Sequence, residues 1–281
     1  MTAEGVPQRA LSVSIVVFHS DLAALRATLD SLRQALEQAR VAGIIDRARV
    51  DLVDNGSPDQ AALDAAVVES LGGAPWLAPV LRRGHGNIGY GAGHNLAIRE
   101  ATGAYHLVLN PDVMLDAPAL LRAIRFLDAH PGVGLVTPQV HNGQGGREYL
   151  CKRHPGILIL ALRGFAPAWL RRPFRRRLDR YEMRDLRGDE VATGIPIASG
   201  CFMFARRDLL QRLGGFSPDY FLYFEDFDLS LRLGRVADIA YVPQVQIVHA
   251  GGYAAAKGWA HRRMFISSAM TFFRHHGWRL W

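Results

Sequence analysis

Cysteine is scarce in this chain: Cys151 and Cys201 are the only two in 281 residues, and no CxxC spacing occurs. That count excludes a disulfide framework, a zinc ribbon and a thioredoxin-like redox motif. A reducing, cytosolic compartment fits. Long apolar runs are also missing, with nothing near the roughly 18 residues a membrane-spanning helix needs. The leading MTAEGVPQRA has no apolar core segment and does not read as a signal peptide. Acid is outnumbered, with 26 Asp and Glu against 33 Lys and Arg, a net charge of +7. A basic balance points to an anionic partner: nucleic acid, a phosphorylated substrate or an anionic membrane surface. No RNA- or DNA-binding signature accompanies it, so nucleic acid is not expected. What the chain has in quantity is apolar residues, 49% of the total, as in a globular protein with a proper core, and its 281 residues are enough for one large α/β domain or two small ones.

The stretch Phe221–Arg232, FLYFEDFDLSLR, sets Glu225, Asp226 and Asp228 among the aromatic residues Phe221, Tyr223, Phe224 and Phe227. Carboxylates desolvated by aromatic neighbours have raised pKa values, as a general base requires. Asp228 and Arg232 are four apart, so the segment reads as a helix opening with acids in its first turn, where the helix dipole favours them. By itself this pattern is equally that of an ordinary helix start.

Leu11–Phe18 is a β-branched apolar run and reads as a buried parallel strand. Asp21 can cap a helix whose apolar positions Leu22, Leu25, Leu29, Leu32 and Leu36 keep the helical period. Val50–Val53 is a second strand ending in Asp54-Asn55-Gly56-Ser57, and a helix follows over Asp59–Leu71. Ligands of open α/β sheets gather at the carboxyl ends of strands, where His19, Asp54 and Asn55 fall. Leu77–Leu81 is a short strand. Asn87–Asn95 is glycine-rich and reads as a loop whose backbone can approach a ligand, with a helix over Leu96–Ala101. His106–Leu109 is a core strand that ends in Asn110-Pro111-Asp112, a place for an oxygen ligand to a divalent ion. A helix over Asp116–Leu127 and a strand over Val133–Val140 complete the first half.

The second half begins with a change of character. Arg163–Arg187 interleaves nine arginines with Phe165, Trp169, Phe174 and Tyr181, a pattern for a membrane interface or an anionic substrate. Ile195–Ala205 reads as a strand with Ser199-Gly200 inside it, where a ligand or backbone comes close. Arg206–Leu213 reads as a short helix. Ile239–Val242 and Val245–Val248 read as two short strands before His249, and Lys257–Trp281 as a basic amphipathic helix.

Five stretches in this order, SIVVFHSD, LVDNGSPD, NIGYGAGHNLAIREATGAYHLVLNPDV, ASGCFMFARRDLLQRLGGFSPDYFLYFEDFDLSLR and IVHAGG, resemble the family 2 glycosyltransferases, especially the rhamnosyltransferase-like branch. The resemblance implies a single domain of the GT-A fold, a Rossmann-like mixed α/β sheet flanked by helices. Residues 11–140 would be its nucleotide-sugar half, and residues 141–281 its acceptor half, with a basic helical insert at 152–190 and a C-terminal amphipathic helix. The residues it implies for the nucleotide-sugar are Phe18, His19, Asp54, Asn55, Asn87, Gly89, Asn95 and Asn110. Asp54 would bond a pyrimidine imide N–H. Asn110-Pro111-Asp112 stands at the family's D-x-D metal motif with Asn in the first place, which implies a weaker or substrate-dependent site for Mg²⁺ or Mn²⁺, with His249 completing the shell. Asp226 would be the catalytic base, with Glu225 its rival. Ser199, Gly200, Asp219 and Tyr223 would shape the acceptor side.

The activity implied is that of a metal-dependent inverting hexosyltransferase. Its donor would be dTDP-L-rhamnose or another pyrimidine nucleotide sugar such as a UDP-sugar. Its acceptor would be a glycan or polyprenyl-diphosphate glycolipid of O-antigen or another surface polysaccharide. An enzyme of this kind would be cytoplasmic and peripheral on the anionic inner leaflet, and a homo-oligomer is compatible with all of this. The rival readings are a sugar nucleotidyltransferase, whose G-x-G-x-R-like loop is missing here, and a catalytically degenerate nucleotide-sugar-binding protein, which Asn110 would favour.

Overall fold

A computed structural model describes residues 9–250 and 259–281. Parallel strands β1 (Ala10–Val17), β2 (Arg47–Asp54), β3 (Leu77–Arg82) and β4 (Tyr105–Leu109) alternate with helices α1 (Leu22–Val41), α2 (Gln60–Leu71) and α3 (Tyr90–Glu100). β5 (Val113–Leu115), α4 (Ala119–Ala129), β6 (Val133–Asn142) and β7 (Arg147–Glu148) follow. A helical insert then runs through α5 (Ile157–Phe165), α6 (Ala168–Arg171) and α7 (Arg175–Tyr181). β8 (Phe202–Arg206), α8 (Arg207–Arg212), α9 (Glu225–Leu233), β9 (Asp238–His249) and α10 (Trp259–His276) complete the described chain.

The strands form one mixed sheet in the order β3-β2-β1-β4-β8-β6-β9-β5, with β7 beside β6. β8 is antiparallel to both β4 and β6. The helix starts follow local chemistry: the Asp21 carboxylate accepts from the N–H groups of Ala23 and Ala24, and that of Asp59 from Ala62. Each satisfies donors that the first turn leaves free.

Three expectations from the sequence differ from the fold. Helix α3 begins at Tyr90, so Gly91 and Gly93 lie inside it rather than in a loop. Packing asks for glycine at both: a Cβ on Gly91 would sit 2.7 Å from Cβ of Phe216, and one on Gly93 2.8 Å from Cγ2 of Val16. Ser199-Gly200 occupies the turn before β8, not a strand. β9 is one strand that shifts register against β6 between Pro138 and Gln139. The insert packs on the rest of the chain: Ile159, Leu160 and Tyr181 form a core with Tyr220, Phe224, Phe272 and Phe273. The backbones of Arg279 and Leu280 bond Ile157 and Leu158, tying the chain's last residues to α5. Of the C-terminal amphipathic segment, Trp259–His276 is helical and packs on this core, residues 277–281 run on without helix, and Lys257 and Gly258 lie outside the described residues.

A buried polar chain crosses the sheet beneath α3. Ser12 Oγ lies 2.8 Å from His106 Nδ1, His106 Nε2 lies 2.9 Å from Ser14 Oγ, and Ser14 Oγ lies 2.7 Å from His94 Nδ1. His94 Nε2 has no partner, which identifies it as the bare ring nitrogen. Burial holds both imidazoles neutral, pushing His106 down to about 4 and His94 well below its usual value. Below an unfolded pKa of 6.5 the unfolded chain therefore binds protons that the native state refuses. Stability should fall as pH drops from 6.5 toward 4, by about 1.4 kcal/mol per pH unit from His106 alone. Urea denaturation at a series of pH values measures this, and His106→Gln should flatten the slope; an unchanged slope would refute the assignment.

Candidate active site

The site lies along the carboxyl ends of β1, β2 and β4. Val17 is in register with Asp54, which sets Phe18 and His19 beside Asn55, whose N–H donates to the Val17 carbonyl. The Asp54 carboxylate accepts from the N–H groups of Gly56 (3.0 Å) and Ser57 (2.7 Å). Burial opposes its charge, but these donors outweigh it and hold the acid below its ordinary range. Asp54 Oδ2 and Asn55 Oδ1 are buried acceptors with no protein partner, so an N–H-bearing ligand can satisfy them. Phe18 is 51% exposed, an unusual setting for a phenyl ring and a ready stacking surface.

Asn87 and Gly89 belong to the same corner. Asn55 Nδ2 donates to the Gly89 carbonyl at 3.0 Å, and the Gly89 N–H donates to Asn87 Oδ1 at 3.1 Å. Gly89 has φ 89°, and a Cβ there would collide with the Phe221 carbonyl oxygen, so no other residue fits. Asn95 has a different use from the one the sequence implied. Both ends of its amide are spent on the Phe216 backbone, each at 2.8 Å, and brace α3 against the segment after α8.

The second corner is assembled by strand pairing. β5 and β9 pair with Val113 opposite His249, and Ala250 N–H donates to the Asp112 carbonyl. His249 Nε2 then stands 3.5 Å from Asp112 Oδ1, and His249 Nδ1 stands 3.5 Å from Oε2 of Glu148 on β7. Burial disfavours charge on the imidazole, but the Asp112 and Glu148 carboxylates prevail and raise it. Burial likewise works against the Asp112 charge, and His249 overcomes it, lowering that acid. Asp112 Oδ1 is buried without a hydrogen bond. Among the described residues no group of three His, Cys, Asp or Glu is arranged to hold an ion unaided. Asp112 and His249 therefore suit an ion that brings its remaining oxygens from a substrate phosphate.

Tyr90 joins this corner to the third. Its hydroxyl lies 3.0 Å from Asn110 Oδ1 and 2.7 Å from the Gly200 carbonyl. Gly200 in turn donates its N–H to Asp226 Oδ2 at 2.9 Å, and Phe227 N–H donates to Asp226 Oδ1 at 2.9 Å. A Cβ on Gly200 would press on the Tyr90 ring (3.3 Å) and the Asp226 Cβ (3.4 Å). Ser199 sits one residue earlier, its Oγ accepting from Cys201 N–H.

Glu225 and Asp226 open α9. The two residues before them, Tyr223 (φ 71°) and Phe224 (φ 66°), both adopt the left-handed region, which bulky side chains avoid at a cost of about 1–3 kcal/mol each. Such strain collects at functional sites. Burial and then the Asp226 charge push Glu225 well above the ordinary carboxylate range, and its Oε2 has no partner. Burial raises Asp226 too, against the pull of its two N–H donors. Asp228 is structural: it pairs with Arg232 at 2.7 Å and His276 at 2.8 Å.

Glu225, Asp226 and Tyr223 border a cavity of about 710 Å³ whose other wall is the insert, including Arg171, Arg172 and Tyr181. Asp219 is not on that cavity. It is exposed and lies 3.6 Å from His275. Tyr90, Glu148 and Tyr181 were not singled out from sequence as site residues. Tyr90 lay within the glycine-rich motif and Tyr181 within the arginine–aromatic segment, while Glu148 carries no motif.

Comparison with known proteins shows the family and the fold. The model of the family "Glycosyl transferase family 2" matches residues 12–214. The N-acetylglucosaminyl-diphospho-decaprenol L-rhamnosyltransferase of Mycobacterium tuberculosis is 26% identical over 208 residues, 68% of this chain; the chain spans only 66% of that relative's length. The rhamnosyltransferase WbbL of Escherichia coli is 26% identical over 202 residues, 68% of each chain. Among solved structures, the mannosyltransferase PcManGT from Pyrobaculum calidifontis in complex with GDP-Man and Mn²⁺ superposes with a TM-score of 0.62 at 20% identity, covering 96% of this chain and 67% of that one. S. aureus TarS 1-349 in complex with UDP-GlcNAc gives 0.59 at 15% identity, covering 94% and 66%. The shared architecture is the GT-A fold.

Proposed function

This chain belongs to glycosyl transferase family 2, and from that premise we propose that it transfers a sugar, with inversion, from a pyrimidine nucleotide sugar to a polyprenyl-diphosphate-linked glycan. L-rhamnose from dTDP-L-rhamnose is the donor we favour, because the M. tuberculosis and E. coli relatives reported above are rhamnosyltransferases by name. The observation that carries the reading is the hydrogen-bonded run from Asn110 through Tyr90 and Gly200 to Asp226, which joins the phosphate corner to the acid pair.

In this reading Phe18 stacks on the base, Asp54 accepts the imide N–H through Oδ2, and Asn55, Asn87 and Gly89 shape the ribose side. Of the two acids, Asp226 has N–H groups stabilising its charge, while Glu225 has none from a side chain and keeps its proton. Asp226 takes the proton from the acceptor hydroxyl. That oxygen's electron pair forms the new bond to the anomeric carbon from the face opposite the diphosphate. The old carbon–oxygen bond breaks, and the nucleoside diphosphate leaves with its electrons. Asp112 and His249 would hold Mg²⁺ or Mn²⁺, which when bound would act as a Lewis acid on the diphosphate. Ser199, Gly200 and Tyr223 border the acceptor.

No helix among the described residues is long and apolar enough to cross a membrane. The exposed rings of Trp169, Trp259 and Trp278, set among arginines, suit peripheral contact with an anionic leaflet.

A thermal-shift screen tests the proposal. dTDP or UDP with Mg²⁺ or Mn²⁺ should raise the melting temperature, while ADP and GDP should not. Asp54→Ala should weaken the pyrimidine nucleotide about 10- to 100-fold, the loss of a hydrogen bond to a charged group. No shift with any nucleotide would sink the reading.

A further inference from the structure

The cavity beside Glu225 and Asp226 has more cationic wall than its own acids neutralise. Arg163, Arg171, Arg172, Arg175 and Arg184 line it. Glu182 and Asp179 pair with three of these: Arg163–Glu182 is 3.1 Å, Arg184–Glu182 2.8 Å, Arg184–Asp179 3.2 Å and Arg175–Asp179 3.7 Å. Arg171 and Arg172 have no carboxylate partner among the described residues. They are neighbours in sequence at the end of α6. Two polar groups on the same cavity are more than nine-tenths buried and lack hydrogen-bond partners, Glu225 Oε2 and the Tyr181 hydroxyl. A ligand that is anionic at the two exposed arginines and hydroxyl-bearing at the buried pair would match both features. Guanidinium forks match phosphate oxygens two at a time. The donor's own diphosphate does not meet this need, because Asp54, Asn110, Asp112 and His249 do not border this cavity.

We propose that Arg171 and Arg172 bind the diphosphate of a lipid-diphosphate acceptor, so that its sugar reaches Asp226 past Tyr181 and Glu225. This rests on the glycosyltransferase reading above. The apolar lining, Leu160, Leu178 and Phe265, gives the first carbons of the lipid a dry surface. The insert thus selects acceptors by their phosphate, and the ion pairs of Asp179 and Glu182 hold the remaining arginines in place around it.

The test titrates the full chain, in EDTA to silence the metal corner, with farnesyl diphosphate, with inorganic pyrophosphate and with phosphatidylglycerol vesicles. The Arg171→Ala/Arg172→Ala double variant should bind farnesyl diphosphate at least tenfold more weakly than the wild type, and pyrophosphate correspondingly less well. Arg171→Lys/Arg172→Lys, which keeps the charge without the fork, should fall between. The nucleoside diphosphate thermal shift should be the same in all three proteins, showing that the fold and donor corner are intact. Equal farnesyl diphosphate affinity in wild type and double variant would overturn the proposal. So would a loss confined to the vesicles, which would assign the two arginines to the membrane surface. If the wild type shows no nucleotide shift at all, the glycosyltransferase reading falls first and takes this proposal with it.

Discussion

Asp226→Asn should reduce transfer about 10²- to 10⁴-fold, the range a general base contributes, while nucleoside diphosphate binding stays at the wild-type level. The amide keeps the shape of the side chain and one acceptor oxygen but cannot take a proton. Its nitrogen also faces a backbone N–H at Gly200 or Phe227, so a modest loss of stability should accompany the loss of rate. Glu225→Gln should behave differently. Burial and the Asp226 charge keep Glu225 protonated, and glutamine reproduces a neutral, donating side chain of nearly the same size. The expected loss is less than about tenfold, since an existing protonation state is copied rather than a function removed. Steady-state kinetics on both variants, with nucleotide binding as the control, decide the matter. A dead Glu225→Gln beside an active Asp226→Asn would exchange the two roles.

The second large effect is expected at Asp112. Asp112→Ala removes one carboxylate from a corner where His249 is the other direct neighbour, and where no group of three such ligands exists among the described residues. Metal-supported transfer should fall by about 10²-fold or more, in line with the several kcal/mol a Lewis acid contributes to charge stabilisation. Calorimetric titration of the nucleotide donor with and without Mn²⁺ separates this from a general defect. The metal-dependent part of the affinity should vanish, and the metal-free part, which depends on Asp54 and Asn55, should persist. If Mn²⁺ still strengthens donor binding in the variant, the ion is held elsewhere.

Where the sequence was legible, short-range chemistry is the reason. The leucine period of α1, the β-branched run of β1 and the acid-first turn of α9 state their elements directly, because helix and strand periods and caps act over a few residues. The family motifs carried the outline further, pointing to Asp54, Asp112, Glu225-Asp226 and His249, which the fold sets in the corners described above. The extent of α3 was misread because glycine counts against a helix by propensity. At Gly91 and Gly93 the deciding quantity is the space left by Phe216 and Val16, which no local window contains.

What the sequence by itself determined, then, is the alternation of strands and helices and the kinds of residue delivered to the strand ends. The tertiary structure alone decided which of them meet. Asn95 was diverted to the Phe216 backbone, and Asp219 was carried to His275. Antiparallel pairing of β5 with β9 brought His249 to Asp112, and β7 added Glu148. The basic insert became the wall of a cavity because α10 and the last residues of the chain hold it there. Burial raises both Glu225 and Asp226, and the N–H groups of Gly200 and Phe227 work against that rise at Asp226 alone, quantities that exist only once the chain has closed around them.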